Sequence, residues 1–227
     1  AVQYKTGKMK FRDKLLTSTE VMGTLASIPV VAQVVNVANK NGPARYVLQQ
    51  VLGVHNQRQL PDYDSSPFRA NATPSVNYPV VEGKRSAGKV AVFSTCYVNY
   101  NEPGIGHDLL KLLDHNEVPY VLVQGEACCG MPKLELGNLD AVEKYKERNI
   151  PLMFDLAEQG YAILTPVPSC TLMFKSEIPL LFPDDVRCKF VAAAMYDPFE
   201  YFVLRNKDGL LKTDFKVGCV EDKPAAC

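Results

Sequence analysis

A vicinal cysteine pair closed by glycine, Cys128-Cys129-Gly130, constrains this chain more than any other stretch. Two adjacent cysteines do not easily bond to each other, because disulfide geometry needs more separation than one peptide link comfortably gives. Both thiols can, however, point at one metal centre. Gly130 has no Cβ, so it can adopt a positive φ and let backbone amides approach anionic sulfur. The motif therefore predicts a tight metal-binding loop.

Two isolated cysteines, Cys96 and Cys170, flank this pair at a distance along the chain. A lone cysteine usually packs as a small hydrophobe, and we interpret Cys188 in that way. The other four thiols match the ligand number of iron–sulfur clusters, and their spacing differs from that of zinc fingers and bacterial ferredoxins. We therefore predict a metal centre held by Cys96, Cys128, Cys129 and Cys170. Zinc on the same thiolates is the alternative.

The composition limits where the protein works and what it binds. The chain has 227 residues, of which 47% are hydrophobic, and carries 25 basic and 25 acidic side chains. A neutral chain lacks the cationic field of a nucleic-acid surface, so we exclude nucleic acid as a partner. Seven cysteines without a secretory signal pattern indicate a reducing, cytoplasmic setting. No apolar run is long enough to span a bilayer, so we expect any membrane contact to be peripheral, on the cytoplasmic face.

The patterning divides the chain into predicted segments. Residues 1–54 predict a helical N-terminal arm, in which Pro29 begins one helix and Gly53 ends another. Thr17 or Ser18 could cap a further helix, and Glu20, three residues after Thr17, would complete a capping box. Residues 55–88 are polar and rich in proline, which predicts an extended linker on the surface.

Within the arm, residues 21–39 contain no charged side chain. Such a stretch could lie in a membrane interface, or it could pack on a partner or on the main domain. Interfacial helices usually show a cationic polar face, which this stretch lacks, so we favour packing.

Residues 89–218 predict the main module, in which strands alternate with helices. This alternation predicts an α/β fold, a small and mostly parallel sheet with crossover helices. Sites in such sheets lie at the carboxyl ends of the strands, and all four predicted ligands follow a strand. The predicted strands are residues 89–95, 118–123 and 161–166; the predicted helices are residues 106–114, 139–158 with a break at Pro151, and 186–204 with an interruption at Pro198.

Side chains next to the cysteines are expected to support the thiolates. We predict that Ser169 caps a helix and so places Cys170 in its first turn, where the helix dipole should lower the thiol pKa. Asn99 could donate a hydrogen bond to sulfur, although a turn-forming role is favoured. Gly130 completes this predicted second shell.

Three cysteine-bearing stretches together resemble a known family. Residues 93–101, 128–132 and 168–172 are similar to the cysteine-rich CCG module of the family that contains the B subunit of heterodisulfide reductase. The similarity is greater to the family members that resemble the C subunit of anaerobic glycerol-3-phosphate dehydrogenase. It extends into the arm, through residues 19–23 and 58–61.

The resemblance implies an iron–sulfur electron-transfer subunit, or a fragment of one, rather than an independent catalyst. It would pass electrons from a flavin-dependent dehydrogenase toward quinone or another acceptor. Members of the family also carry a second CCG module, and residues 219–227 resemble the start of one. The family usually has a CxxC motif at its third position, whereas Met173 follows Cys170 here. The resemblance therefore implies a cubane [4Fe–4S] cluster rather than a noncubane one.

The residue pattern also allows a function of a different class. The chain could be a zinc-bound or metal-free structural module that docks on partner subunits or on a membrane through residues 10–54. Metal content and redox response distinguish this module from an electron carrier.

Overall fold

The computed structural model describes residues 10–73 and 75–214, with a four-stranded parallel sheet at the centre. The strands are β1 Val90–Val92, β2 Tyr120–Leu122, β3 Ala162–Leu164 and β4 Met195–Tyr196. Their order across the sheet is β2-β1-β3-β4, and Val90 lies opposite both Tyr120 and Ala162. The strands are short apolar runs covered on both faces, as is usual in all-parallel sheets. The predicted α/β fold is confirmed.

Helices make up most of the rest of the described chain. Those before the sheet are α1 Phe11–Leu16, α2 Thr19–Ala26, α3 Pro29–Lys40, α4 Gly42–Leu52 and α5 Phe68–Asn71. The later ones are α6 Cys96–Tyr100, α7 Pro103–His115, α8 Met131–Glu135, α9 Leu139–Glu158, α10 Pro168–Leu172, a π-helical turn Met173–Glu177, α11 Ile178–Leu181, α12 Val186–Ala194 and α13 Pro198–Lys207. The helical N-terminal region is confirmed, with Pro29 at the start of α3.

The two faces of the sheet carry separate apolar cores. In β1 and just after it, Ala91 and Phe93 pack into one core, whereas Val90 and Val92 pack into the other. This division follows from the alternation of side chains along a strand. The first core lies beneath α9 and α12 and includes the predicted ligand cysteines except the half-buried Cys96, which packs against it. The sheet therefore holds the thiols on one of its faces.

Of the two prolines predicted to interrupt helices of the module, one does so and the other does not. The predicted break at Pro151 is wrong, because α9 continues through it. A proline removes one helical hydrogen bond, but Ile150 and Met153 beside it are fully buried and hold the helix on the core. The interruption at Pro198 is present, and it contains β4, which we did not predict. We also expected a final strand over residues 214–220; apart from Asp214, these residues lie outside the described part of the chain, as do residues 219–227.

The predicted linker, residues 55–88, is fixed at two points, once to the arm and once to the module. The buried guanidinium of Arg45 donates hydrogen bonds to the backbone carbonyls of His55, Asn56 and Arg58. Further along, Phe68 in α5 is fully buried against Gly106, where any Cβ would overlap its ring. This stretch is therefore part of the packed structure.

The arm is packed on the module through α2 and α6. Gly23 lies directly against the ring of Tyr100, so that a side chain at position 23 would overlap it. The hydroxyl groups of Thr24 and Tyr100 are 3.0 Å apart. No single described helix has the length and apolarity to cross a bilayer; α2 and α3 meet that criterion only as a pair, bent by 110°.

A buried ion pair joins the helices that cover the cysteine side of the sheet. The Lys146 ammonium in α9 lies 2.6 Å from Asp185, which also caps α12 by accepting a hydrogen bond from the Arg187 amide. Hydrogen bonds from Arg187 and Lys146 hold the pKa of Asp185 well below its usual range. Asp185 therefore stabilises the fold above its unfolded pKa near 3.8, and this contribution is lost as the pH falls below that value.

We expect Asp185→Asn to lower the free energy of unfolding at pH 7 by about 1–3 kcal/mol, because asparagine keeps the cap and removes only the charge. Urea unfolding at several pH values measures the effect. The difference from wild type should shrink as the pH falls below about 4. An equal difference at pH 7 and pH 3 would contradict the role assigned to the charge.

Candidate metal centre

Cys96 follows β1 and opens α6, directly after a strained residue. Thr95 has a φ of 64°, a conformation that a β-branched residue rarely adopts. Its hydroxyl oxygen caps α6 by accepting a hydrogen bond from the Val98 amide at 3.2 Å. The cap helps to hold this conformation, and the sharp turn directs Cys96 toward the end of the sheet.

The loop after β2 carries Cys128 and Cys129 and is held by Asn149 of α9. The Asn149 side chain is fully buried; it accepts a hydrogen bond from the Ala127 amide at 2.8 Å and donates one to the Cys128 carbonyl at 3.0 Å. Gly130 has a φ of 93°, the positive value that we expected. Its amide also hydrogen-bonds the Cys128 sulfur.

Cys170 lies in the first turn of α10, as predicted, but Ser169 is not the cap. The helix begins at Pro168 and its cap residue is Val167, which offers no side-chain hydrogen bond. A proline suits the first helical position because it needs no hydrogen-bond acceptor there, so the helix begins one residue earlier than we predicted. Ser169 is exposed and borders a cavity that also reaches Cys170.

The structure brings the four predicted ligands together. Their thiols form a line of contacts from Cys96 to Cys128, Cys129 and Cys170. Hydrogen bonds from Cys129 and Cys96 hold the pKa of Cys128 far below its ordinary value. The same contacts with Cys128, together with burial, raise the pKa values of Cys96 and Cys129. Negative charge is therefore concentrated on Cys128.

Two of the sulfur atoms are closer together than ligands of one metal ion would be. The Sγ atoms of Cys129 and Cys170 are 3.1 Å apart, whereas two thiolates bound to one zinc at about 2.3 Å lie about 3.8 Å apart. Across residues 10–73 and 75–214, no group of three or more His, Cys, Asp or Glu side chains is arranged to hold a metal ion. Metal binding would therefore require the thiols to separate.

Space for that separation adjoins the thiols. Cys96, Cys129 and Cys170 line a cavity of about 630 Å³ between the arm and the module. The donor type and number fit an iron–sulfur cluster. The adjoining space gives Cys96, Cys129 and Cys170 room to move apart.

Three residues from outside the predicted set reach this centre. The hydroxyl of Thr19 lies 3.5 Å from the Cys128 sulfur, and the carboxylate of Glu20 accepts a hydrogen bond from the Cys128 amide at 3.4 Å. Lys133 in α8 is buried, and its ammonium donates a hydrogen bond to Thr17 at 2.7 Å. The predicted capping box is wrong, because Thr17 and Glu20 contact the module instead. Ser18 is the N-cap residue of α2, but its side chain makes no capping hydrogen bond. The only sequence signal for these contacts was the resemblance through residues 19–23.

A polar pocket lies on the other side of Cys96 and Cys128. Arg69 pairs with the buried Glu126 at 2.6 Å, and burial raises the pKa of Glu126 to about 7 although Arg69 opposes the shift. Asn99 also lines this pocket, and its side-chain oxygen accepts a hydrogen bond from the Arg69 amide at 2.9 Å. The bond that we considered from Asn99 to sulfur is not seen among the described residues.

Comparison with known proteins agrees with this geometry. Residues 90–175, which span all four cysteines, match the family model of the cysteine-rich domain called CCG. The chain carries a CCG domain. No solved structure matches the chain significantly.

The relatives of this CCG chain include subunits of redox enzymes. It is 31% identical to the C subunit of anaerobic glycerol-3-phosphate dehydrogenase of Escherichia coli over 180 residues. This alignment covers 78% of the chain and 43% of the relative. It is 32% identical over 98 residues to the B subunit of fumarate reductase (CoM/CoB) of Methanothermobacter marburgensis, covering 43% of the chain and 19% of the relative. It is 29% identical over 119 residues to lactate utilization protein A of Bacillus subtilis, and this alignment covers 51% of the chain and 48% of the relative. The chain spans less than half the length of each of these relatives.

We expect Asn149→Leu to release the loop of this CCG domain, because leucine cannot replace the hydrogen bonds to Ala127 and Cys128. The free energy of unfolding should fall by about 1–3 kcal/mol, since buried backbone groups lose their partners. Alkylation of Cys128 and Cys129 under native conditions should become faster, as peptide mass spectrometry would report. Gln159→Leu, an exposed change at the end of α9, is the control. Unchanged alkylation with an unchanged unfolding curve would contradict this role of Asn149.

Proposed function

We propose that this chain is an iron–sulfur electron-transfer subunit, or part of one. Cys96, Cys128, Cys129 and Cys170 would hold the cluster. The observation that carries the proposal is that these thiols, delivered by three separate connections of a parallel sheet, meet beside a cavity large enough to let them spread. A [4Fe–4S] cluster takes four cysteine thiolates, so it is the cofactor that we propose.

The surrounding residues would set the properties of such a cluster. When bound, it would accept and release single electrons. The Gly130 amide and the Thr19 hydroxyl point at sulfur, and hydrogen bonds to sulfur tune the reduction potential of a cluster. The arm covers the thiols and restricts water. Ser169 lines the cavity beside Cys170, and Asn99 lines the polar pocket beside Cys96; we propose that both influence the cluster from there and not through a direct bond to sulfur.

The donor and the acceptor of the electrons are also part of this proposal. The names of the relatives describe subunits of a dehydrogenase and a reductase. We propose that the chain receives electrons from a flavin-dependent dehydrogenase or another redox subunit and passes them toward quinone or another acceptor. It would work in the cytoplasm, with any membrane contact peripheral.

A second candidate, a zinc-bound or metal-free docking module, is favoured by the surface of the arm. Val30, Val34 and Val37 of α3 are each more than 60% exposed, as is Val51 of α4. Large exposed apolar patches commonly mark interaction surfaces. This reading differs from the electron carrier in metal content.

Iron and acid-labile sulfide analysis of protein purified without oxygen tests the proposal. We expect about four irons and four sulfides per chain, in line with four thiolate ligands. Cys128→Ala should lose most of both, whereas Cys188→Ala, which changes a fully buried core thiol, should keep them. Stoichiometric zinc, or no metal in folded wild-type protein, would leave the docking module as the function.

Lys133 should raise the reduction potential of a bound cluster. Burial lowers the pKa of this ammonium while the charge on Cys128 opposes that shift, so the cation lies within electrostatic reach of the site. We expect Lys133→Met to lower the potential, because the added electron loses a favourable charge interaction. A tenfold change in the ratio of reduced to oxidised cluster corresponds to about 59 mV.

A potentiometric titration followed by visible absorption measures this change. Lys144→Met makes the same substitution at an exposed position of α9 and should leave the potential unchanged. A wild-type potential in folded Lys133→Met would show that Lys133 only ties the arm to the module.

A further inference from the structure

The cavity beside the thiols is larger than thiol movement alone accounts for. It has a volume of about 630 Å³ and lies between helices α1 to α4 on one side and α6, α8 and α10 on the other. Protein interiors are close-packed and contain few voids larger than a water molecule. Cavities that take small molecules measure roughly 300–1,000 Å³. The size is therefore that of a ligand site.

The walls that the arm contributes are apolar and incompletely packed. Six apolar side chains that line the cavity are only half-buried. They are Leu15, Met22, Val35, Leu48 and Leu52 of the arm, and Leu60 of the linker adds the sixth apolar side chain. An apolar occupant would remove these walls from water, which is the favourable part of the hydrophobic effect.

The scarcity of charged side chains in the lining argues against a charged ligand. Glu135, which is exposed, is the only charged side chain among the described residues that line the cavity. No lysine or arginine is present there to neutralise a carboxylate or a phosphate. An acidic ligand would therefore lose its hydration without gaining a counter-charge.

A polar contact is available at the thiol end of the cavity. Tyr63 is held there by Asn36, which donates to the Tyr63 carbonyl at 2.8 Å and accepts from its amide at 2.9 Å. Within the described residues the Tyr63 hydroxyl makes no hydrogen bond, and Cys96 is near enough to influence it electrostatically. The hydroxyl could thus donate to one polar atom of a ligand whose body lies among the leucines.

We propose that this cavity binds an uncharged, largely apolar small molecule, with its polar end at Tyr63 and its apolar body against Leu48 and Leu52. The inference goes beyond the proposed function, since it concerns the side of the cavity formed by the arm, whereas the thiols line the side formed by the module.

Nile red, an uncharged apolar dye whose emission shifts to the blue in apolar surroundings, serves as the probe. We expect saturable binding of one dye by the full chain. Leu52→Gln should weaken the dye's affinity by about tenfold, equivalent to a few apolar contacts. Val51→Gln places the same side chain on the exposed outer face of α4 and should leave the affinity within about twofold.

A second variant tests the volume without adding polarity. Ala38 of α3 also lines the cavity, and Ala38→Phe should weaken binding while the melting temperature stays at the wild-type value or rises. Absence of saturable binding by folded wild type would overturn the proposal. An effect of Val51→Gln as large as that of Leu52→Gln would also overturn it, because the dye would then bind the outer surface. Iron content measured on the same samples keeps this result separate from the cluster proposal.

Discussion

The parallel pairing of β1 with β2 and β3 is the constraint on which the rest of this structure depends. Because all three strands run in one direction, the chain leaves each at the same edge of the sheet. Cys96, the Cys128-Cys129 pair and Cys170 occupy those exits. Thiols far apart in sequence thereby become neighbours without a disulfide bond between them. The close approach is stabilised by the apolar core beneath, where fully buried strand residues keep the loop origins fixed.

Residues with positive φ and side-chain hydrogen bonds to the backbone then fix the position of the thiols more closely. Thr95 holds an unfavourable φ with the help of its own cap, and Gly130 supplies a positive φ at low cost. The Asn149 side chain supplies hydrogen-bond partners for the backbone amide of Ala127 and the backbone carbonyl of Cys128 in the cysteine loop. The arm adds a third layer, since Lys133 and Thr17 join it to the module beside Cys128. Burial, charge and coverage of the site thus come from parts of the chain that are remote in sequence.

The fold class and the four clustered thiols could be predicted because both rest on local signals. Apolar runs mark β1 to β3, and each run ends shortly before a cysteine. β4 carries no such signal: it has two residues, and it exists because Met195 pairs with Ile163. Pro151 misled the pattern because packing in the core outweighs one missing hydrogen bond. The contacts of Glu20 could not be derived from spacing, since they depend on how α2 packs across the module.

Electron paramagnetic resonance of the full chain, purified without oxygen and recorded before and after dithionite, tests the central claim most directly. A reduced [4Fe–4S] cluster has an unpaired electron, so we expect a signal that appears on reduction and is absent before it. The signal should disappear in Cys128→Ala and persist in Cys188→Ala. A folded wild-type protein with no signal in either state, and with zinc or no metal bound, would contradict the account and assign the thiols to a structural role.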